Sequence, residues 1–377
     1  MKIDENNSIY EIITKYPETL EILIEMGFKE FKNMNKLKTL GKNINLKMAL
    51  DMKQIPLNIF LKNLELKINN KKEKEEVINI KGILPCPVKI PILEELNKYI
   101  KEKKENFNID LKTASMGINW LKEDYKISIK NKVPDIFISA GFDLFFNKKT
   151  YQNFQDLSNI KNYNKDFQND EINLKDPKNT YSILAVVPAI FLINKNELKN
   201  EIPDSWEDLL SGKYDNKVSL PITDFDLFNA ILLNIHKKFG EEGIESLKKT
   251  LISNLHPSQM VQSYKTKLNK PAITIMPYFF TKTINKNSPM IPIWPKDGAI
   301  ISPIFMINKN NNKLKNISEF FASKKIGKIF SYNGKFPSTH PDIDNMITKD
   351  NKYLWLGWDY IYNNDLSELI KKLKNIF

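Results

Sequence analysis

From Val77 onward the chain alternates β-rich and helical stretches, and no other feature constrains its fold as much. Val77–Leu84 is a β-rich run that ends in Pro85-Cys86-Pro87. Ile90–Lys101 carries Ile92, Leu93, Leu96 and Ile100 at helical spacing. Phe107–Thr113 reads as a strand, and Asp135–Ser139 as a short buried strand ending at Ala140-Gly141. A β-α-β order of this kind predicts an α/β fold with an open, largely parallel sheet. Such sheets place ligands beyond the carboxyl ends of their strands.

Ahead of this region, residues 1–68 read as a small helical domain. Ser8 and Glu11 form a capping box, after which Ile9, Ile12, Ile13 and Tyr16 share one face. Pro17 suits the start of a second helix that stops at Gly27. Asn45 can cap a third, and Pro56 opens a fourth. Residues 69–77 read as a linker, because NNKKEKEE is charged and has no apolar face.

The later chain adds a long apolar strand, Ser182–Asn194, followed by PDSWEDLLSGKYDNKVSLP at Pro203–Pro221. Ser205 can cap a helix with Asp208 three residues on, which turns Trp206 and Leu209 inward. Pro203, Ser205, Trp206, Leu209, Lys213, Tyr214, Lys217 and Pro221 together resemble a pattern of type II periplasmic solute-binding proteins of the ferric-ion and polyamine branch. Thr223–Lys238 as a helix, Ala272–Met276 as a strand ending at Pro277-Tyr278, and Gly298–Asn308 as a return strand are similar to the same family. The resemblance implies two α/β lobes joined by two crossing strands, closing on a ligand by a hinge. Lobe one is then residues 78–182 plus 300–377, and lobe two is residues 183–299.

IYEIITKYPETLEILIEMGFK and TLGKNINLKMALDMKQIPLNIFLKNL resemble a small bacterial domain of unknown function, found fused to redox, hybrid-cluster and sensor proteins. Some of its relatives carry a cysteine pair after the glycine. None follows Gly27 here, so residues 1–68 are expected to dock a protein partner or dimerise.

Four strand-to-helix loops are expected to face the cleft. The first is Leu84–Lys89, with Pro85, Cys86, Pro87 and Lys89; its thiol sits near a helix N-terminus, where a thiolate is favoured. The second holds Ala140, Gly141, Phe142 and Asp143, small at the strand end so that a ligand can approach the backbone. The third runs from Pro221 to Asp226, with Thr223 or Asp224 capping the next helix. The fourth holds Tyr278, Phe279 and Phe280, with Trp294 and Asp297 just before the return strand. Ferric-binding relatives place paired tyrosines near the fourth loop; here Tyr278 is followed by two phenylalanines.

The expected ligand is a metal ion, an oxyanion or a small organic molecule, and no cofactor is identified. Every basic residue behind the net charge of +12 is Lys, so neither the guanidinium reading of bases nor an Arg clamp on a carboxylate is available. No specific nucleic acid is expected. The longest apolar runs, Ile183–Ile193 and Gly298–Ile307, fall short of the roughly 18–20 residues of a membrane helix. The polar, acidic start lacks the basic-then-apolar order of an export signal, which makes the cytoplasm the expected location. With one cysteine there is no internal disulfide. The leading expectation is a non-catalytic binding protein. Two alternatives stand beside it: an enzyme on the same fold using Cys86 with His256 or His340, and a regulatory scaffold with a degenerate cleft.

Overall fold

The computed structural model describes residues 3–64, 77–103, 105–113, 133–142, 145–146, 154–198 and 201–377. The chain divides into two compact units, Met1–Val77 and Ile78–Phe377. The segment 69–76, expected as a linker, lies outside the described residues.

The first unit is helical: α1 Ile9–Lys15, α2 Glu18–Glu25, α3 Met34–Asn43, α4 Leu46–Met52, and α5 over residues 57–64. The Ser8 hydroxyl accepts from the Glu11 amide while the Glu11 carboxylate accepts from the Ser8 amide, closing the expected capping box. Asn45 caps α4 through the Met48 amide. Gly27 ends α2 at φ 100°, which lets the Phe28 amide reach back to the Leu23 carbonyl. The α3 helix was not anticipated, because only Leu37 and Gly41 of its polar sequence are buried. Ile9, Leu23, Phe28, Phe31, Leu46 and Phe60 form a core belonging to this unit alone.

The second unit is built on one sheet. Its strands are β1 Ile78–Leu84, β2 Phe107–Thr113, β3 Ile136–Ala140, β4 Phe154–Gln155, β5 Ser182–Asn194, β6 Val218–Ser219, β7 Leu251–Ser253, β8 Ile273–Pro277, β9 Met290–Ile293, β10 Ala299–Lys309 and β11 Tyr353–Leu354. The main path runs β2-β1-β3-β10-β5-β8-β6-β7. β1 pairs in parallel with β2 and β3, and β6 in parallel with β7 and β8, giving each lobe its own parallel section of the sheet. The antiparallel pair β5 and β10 joins them. β10 pairs with β3 through Ile304–Asn308 and with β5 through Ile300–Met306, while β5 continues past Ala189 to pair with β8 and β9. These are the two crossing strands. Every residue of β5 is buried, so it reads as one continuous apolar run instead of alternating.

Helices cover the sheet: α6 Cys86–Lys101, α7 Trp206–Leu209, α8 Phe225–Thr250, α9 Pro257–Met260, α10 Lys315–Phe321, α11 Lys324–Lys328, α12 Trp358–Asn363 and α13 Leu366–Ile376. α6 begins four residues before the expected Ile90. Proline is tolerated in a first turn, where backbone amides lack helical partners, so Pro87 does not delay the start. α8 is broken at Gly240, which takes φ 68°. The Pro203–Pro221 stretch folds as its pattern predicts: Ser205 caps α7 through the Asp208 amide, and Trp206 and Leu209 are fully buried. Gly82 marks the tightest strand approach, since a Cβ there would lie 2.0 Å from the Ile138 carbonyl oxygen.

The C-terminal segment, grouped with lobe one, touches both lobes: Trp355 packs on Phe142 and the Tyr362 hydroxyl donates to Asp176, while α13 lies along α8. Phe377 packs edge-on against Phe228 at 5.0 Å, Lys248 donates to the Ile376 carbonyl, and Lys372 pairs with Glu241. Leu366, Ile370 and Leu373 recur every three to four residues, and that stripe finds its apolar partner on α8.

Candidate functional site

Five parallel strands end at one place. The loops after β1, β3, β6, β7 and β8 converge on a cavity of about 640 Å³ between the two lobes. Lobe one contributes Ile83, Pro85, Cys86, Pro87, Ala140 and Phe336; the crossing strand β5 contributes Val187. Lobe two contributes Thr223, Asp224, Asp226 and Leu227 from the start of α8, His256 and Pro257 from the start of α9, and Pro277, Phe279 and Phe280 from the end of β8.

Most of this wall is carbon. Phe279 lies 5.2 Å from Phe280 and 6.1 Å from Phe336, ring centre to ring centre, so the aromatic side spans both lobes. Phe280 also meets His256 edge-on at 6.3 Å. The polar groups are Cys86, Thr223, Asp224, Asp226 and His256. Although the chain has 57 basic residues, no Lys lines the cavity among the described residues.

Asp224 occupies the N-cap position of α8. Burial pushes its carboxyl up to about 6, against smaller opposing pulls from the Leu227 amide and His256. His256 caps α9: its Nδ1 accepts from the Ser258 amide at 3.2 Å and lies 2.7 Å from the Ser258 hydroxyl. With Nδ1 accepting, the neutral ring carries its proton on Nε2. Cys86 is exposed at the first position of α6. Among the described residues, no three His, Cys, Asp or Glu side chains gather to hold a metal ion.

Of the residues singled out from sequence, Pro85, Cys86, Pro87, Ala140, Thr223, Asp224 and Phe279 come together in this cavity. Gly141 sits just behind it against Asp226. The others lie elsewhere. Lys89 is one turn into α6 and absent from the wall. Phe142 is fully buried between Phe146 and Trp355. Tyr278 turns away to Trp294, at 5.3 Å, with the Lys335 ammonium 4.6 Å over its ring. Trp294 donates from Nε1 to the Lys352 carbonyl. Asp297 receives the Trp206 amide and pairs with Lys238 at 2.9 Å. Asp143 lies outside the described residues.

Phe336 is a wall residue that the sequence did not single out, and His256, named only as a possible partner of Cys86, lines the same cavity as that thiol. The strand before His256 spans only Leu251–Ser253, too short to register in a periodicity. Phe336 follows a π-helix at Ile329–Asn333, and the turn behind it places Lys335 at φ 47°. The Asn333-Gly334 pair was the available signal for that turn. His340 is absent from the cavity wall: it accepts from the Asp342 amide through Nδ1, beside Gly327.

Comparison with known proteins agrees with this architecture. Residues 131–364 match the family described as bacterial extracellular solute-binding protein, and residues 3–61 match a domain of unknown function (DUF1858). No curated protein matches the sequence. Among solved structures, the ferric binding protein from Campylobacter jejuni aligns at 16% identity and TM-score 0.55, covering 79% of this chain and 98% of its own. A two-component system protein that mediates signal transduction aligns at 13% identity and TM-score 0.57, covering 79% of this chain and 100% of its own. The apo ferric ion-binding protein A of Pasteurella haemolytica aligns at 12% identity and TM-score 0.54, covering 79% and 97%. At these identities the likeness speaks for the fold. No helix among the described residues is long and apolar enough to cross a membrane.

Proposed function

Since the chain belongs to the bacterial extracellular solute-binding protein family, we propose that it binds a small solute in the cleft between its lobes and releases it unchanged. The observation that carries this reading is the convergence of five strand ends on one cavity of about 640 Å³. Open parallel sheets bind ligands at that place, and the volume suits a small organic molecule. Both lobes and a crossing strand supply wall residues, so relative motion of the lobes about β5 and β10 opens and closes the site.

Two of the structural neighbours are named for binding ferric ion. The wall of this cleft favours a different solute. A hard cation wants several oxygen ligands, whereas this wall offers Asp224, Asp226 and Thr223 among carbon atoms, with Phe279 and Phe280 after a Tyr278 that faces away.

A thermal-shift screen of the full chain against metals, oxyanions, polyamines and organic ions tests the reading. A solute that raises the melting temperature, and loses that effect in Phe279→Asp, supports binding in the cleft. No shift from any class contradicts it.

A further inference from the structure

We propose that the solute is an organic cation, with one ammonium head at Asp224 and Asp226 and an apolar body against Phe279, Phe280 and Phe336. This rests on the solute-binding reading above and names the chemistry of the same cleft.

The argument begins with charge. The chain carries a net +12, yet the cavity wall holds two carboxylates and no lysine among the described residues. Two ammonium groups beside the wall residues Phe280 and Phe336 are held on the protein itself. Lys282 donates to the carbonyls of Tyr332 and Asn333, and Lys335 donates to the Thr281 hydroxyl. Among the described residues the wall itself thus carries carboxylates and no ammonium, and a low-dielectric recess strengthens the field of such charges.

Helix N-termini normally recommend an anion, and α6 and α8 both begin at this cavity. Both are spoiled for that purpose. Pro87 removes an amide from the first turn of α6, and the first turn of α8 is faced by Asp224 and Asp226. An anion there would meet two like charges.

The aromatic wall completes the match. Phe279, Phe280 and Phe336 line the same space, with neighbouring ring centres 5.2 and 6.1 Å apart. Ring faces attract ammonium groups most strongly where water is excluded, and a carbon body gains from leaving water. Polyamines fit less well, since among the described residues the wall's carboxylates are Asp224 and Asp226, two positions apart at the start of one helix. Asp224 adds a thermodynamic point: burial makes its charge costly in the empty protein, which a bound cation relieves.

Calorimetric titration of the full chain with benzyltrimethylammonium and with phenylmethanesulfonate tests the charge. The two probes share a benzyl group and carry compact heads of opposite sign. Benzyltrimethylammonium is expected to bind, with affinity reduced at least tenfold in Asp224→Asn and in Asp226→Asn, both checked for folding by circular dichroism. Tighter binding of phenylmethanesulfonate, lost in Phe279→Ala, overturns the cation and leaves solute binding standing. Cation binding unchanged in both Asn variants also overturns the proposed head site. Binding of neither probe, together with no hit in the thermal-shift screen, overturns both readings.

Discussion

Gly141 and Asp226 meet where the lobes join: with Gly141 at φ 91°, a Cβ there would lie 2.9 Å from the Asp226 Cα. The Gly141 amide donates to the Pro303 carbonyl, and the Ser302 hydroxyl donates to the Asp226 carbonyl, so β3, β10 and α8 are tied at one point. That point fixes the start of α8, which holds Asp224 in the cavity. Gly141→Ala adds left-handed strain and a clash together. It is expected to cost about 1–3 kcal/mol in urea unfolding and to weaken solute affinity beyond that of an equally destabilised core variant.

Asp224 gives a pH signature. Its folded-state carboxyl is raised from 3.8 to about 6, so the native chain holds this proton more tightly than the unfolded one. The penalty for the buried charge is absent below 3.8, grows as pH rises, and is complete above about 6. Asp224→Asn is expected to be more stable than wild type by about 2–3 kcal/mol at neutral pH, with the difference vanishing toward pH 4. Wild-type affinity for an organic cation should fall about tenfold per pH unit below that midpoint. Equal stability of the two proteins at every pH contradicts the burial assigned to Asp224.

Asp297 and Trp294 separate structural from ligand roles. Asp297 receives the amide at the start of α7 and pairs with Lys238, while Trp294 anchors the Lys352 carbonyl. Asp297→Ala is expected to lose about 1–2 kcal/mol of stability through the lost cap. Neither Asp297→Ala nor Trp294→Phe should change solute affinity by more than about twofold, measured by calorimetry below the melting transition.

Lys282 and Lys335 bridge the lobes beside the cleft. The Lys282 ammonium lies 2.6 Å from the Tyr332 carbonyl, and that of Lys335 lies 2.8 Å from the Thr281 hydroxyl. Replacing both by Met removes the bridges and keeps most of the side-chain bulk. Small-angle scattering of the double variant should show a larger radius of gyration without solute, and its affinity should drop several-fold. Identical scattering would show that these contacts do not hold the lobes together.

Much of this architecture is legible in the residues. The alternation after Val77 carries the parallel sheets, and Pro203–Pro221 carries α7 and β6, because capping and burial there are local. The cleft loops after β1, β6 and β8 could be named because a parallel strand's carboxyl end is set by chain direction alone. What escaped depends on distant partners. Tyr278 and Phe279 are neighbours in sequence, and only the placement of Trp294 and Phe336 decides which one enters the cavity. Phe142 follows the small residues of a strand end, yet packing against Phe146 and Trp355 takes it into the core. The docking of α13 on α8 is a long-range choice of the same kind, invisible to any local window.

Alkylation of Cys86 locates the bound solute most directly, because this single thiol is exposed in the wall of the proposed site. The rate of reaction with iodoacetamide is measured on the full chain with and without a solute whose binding calorimetry has established. At saturation the rate is expected to fall at least tenfold, and to recover in Phe279→Asp at the same solute concentration. A saturating solute that leaves the Cys86 rate unchanged would place binding outside the cleft and contradict the proposed function.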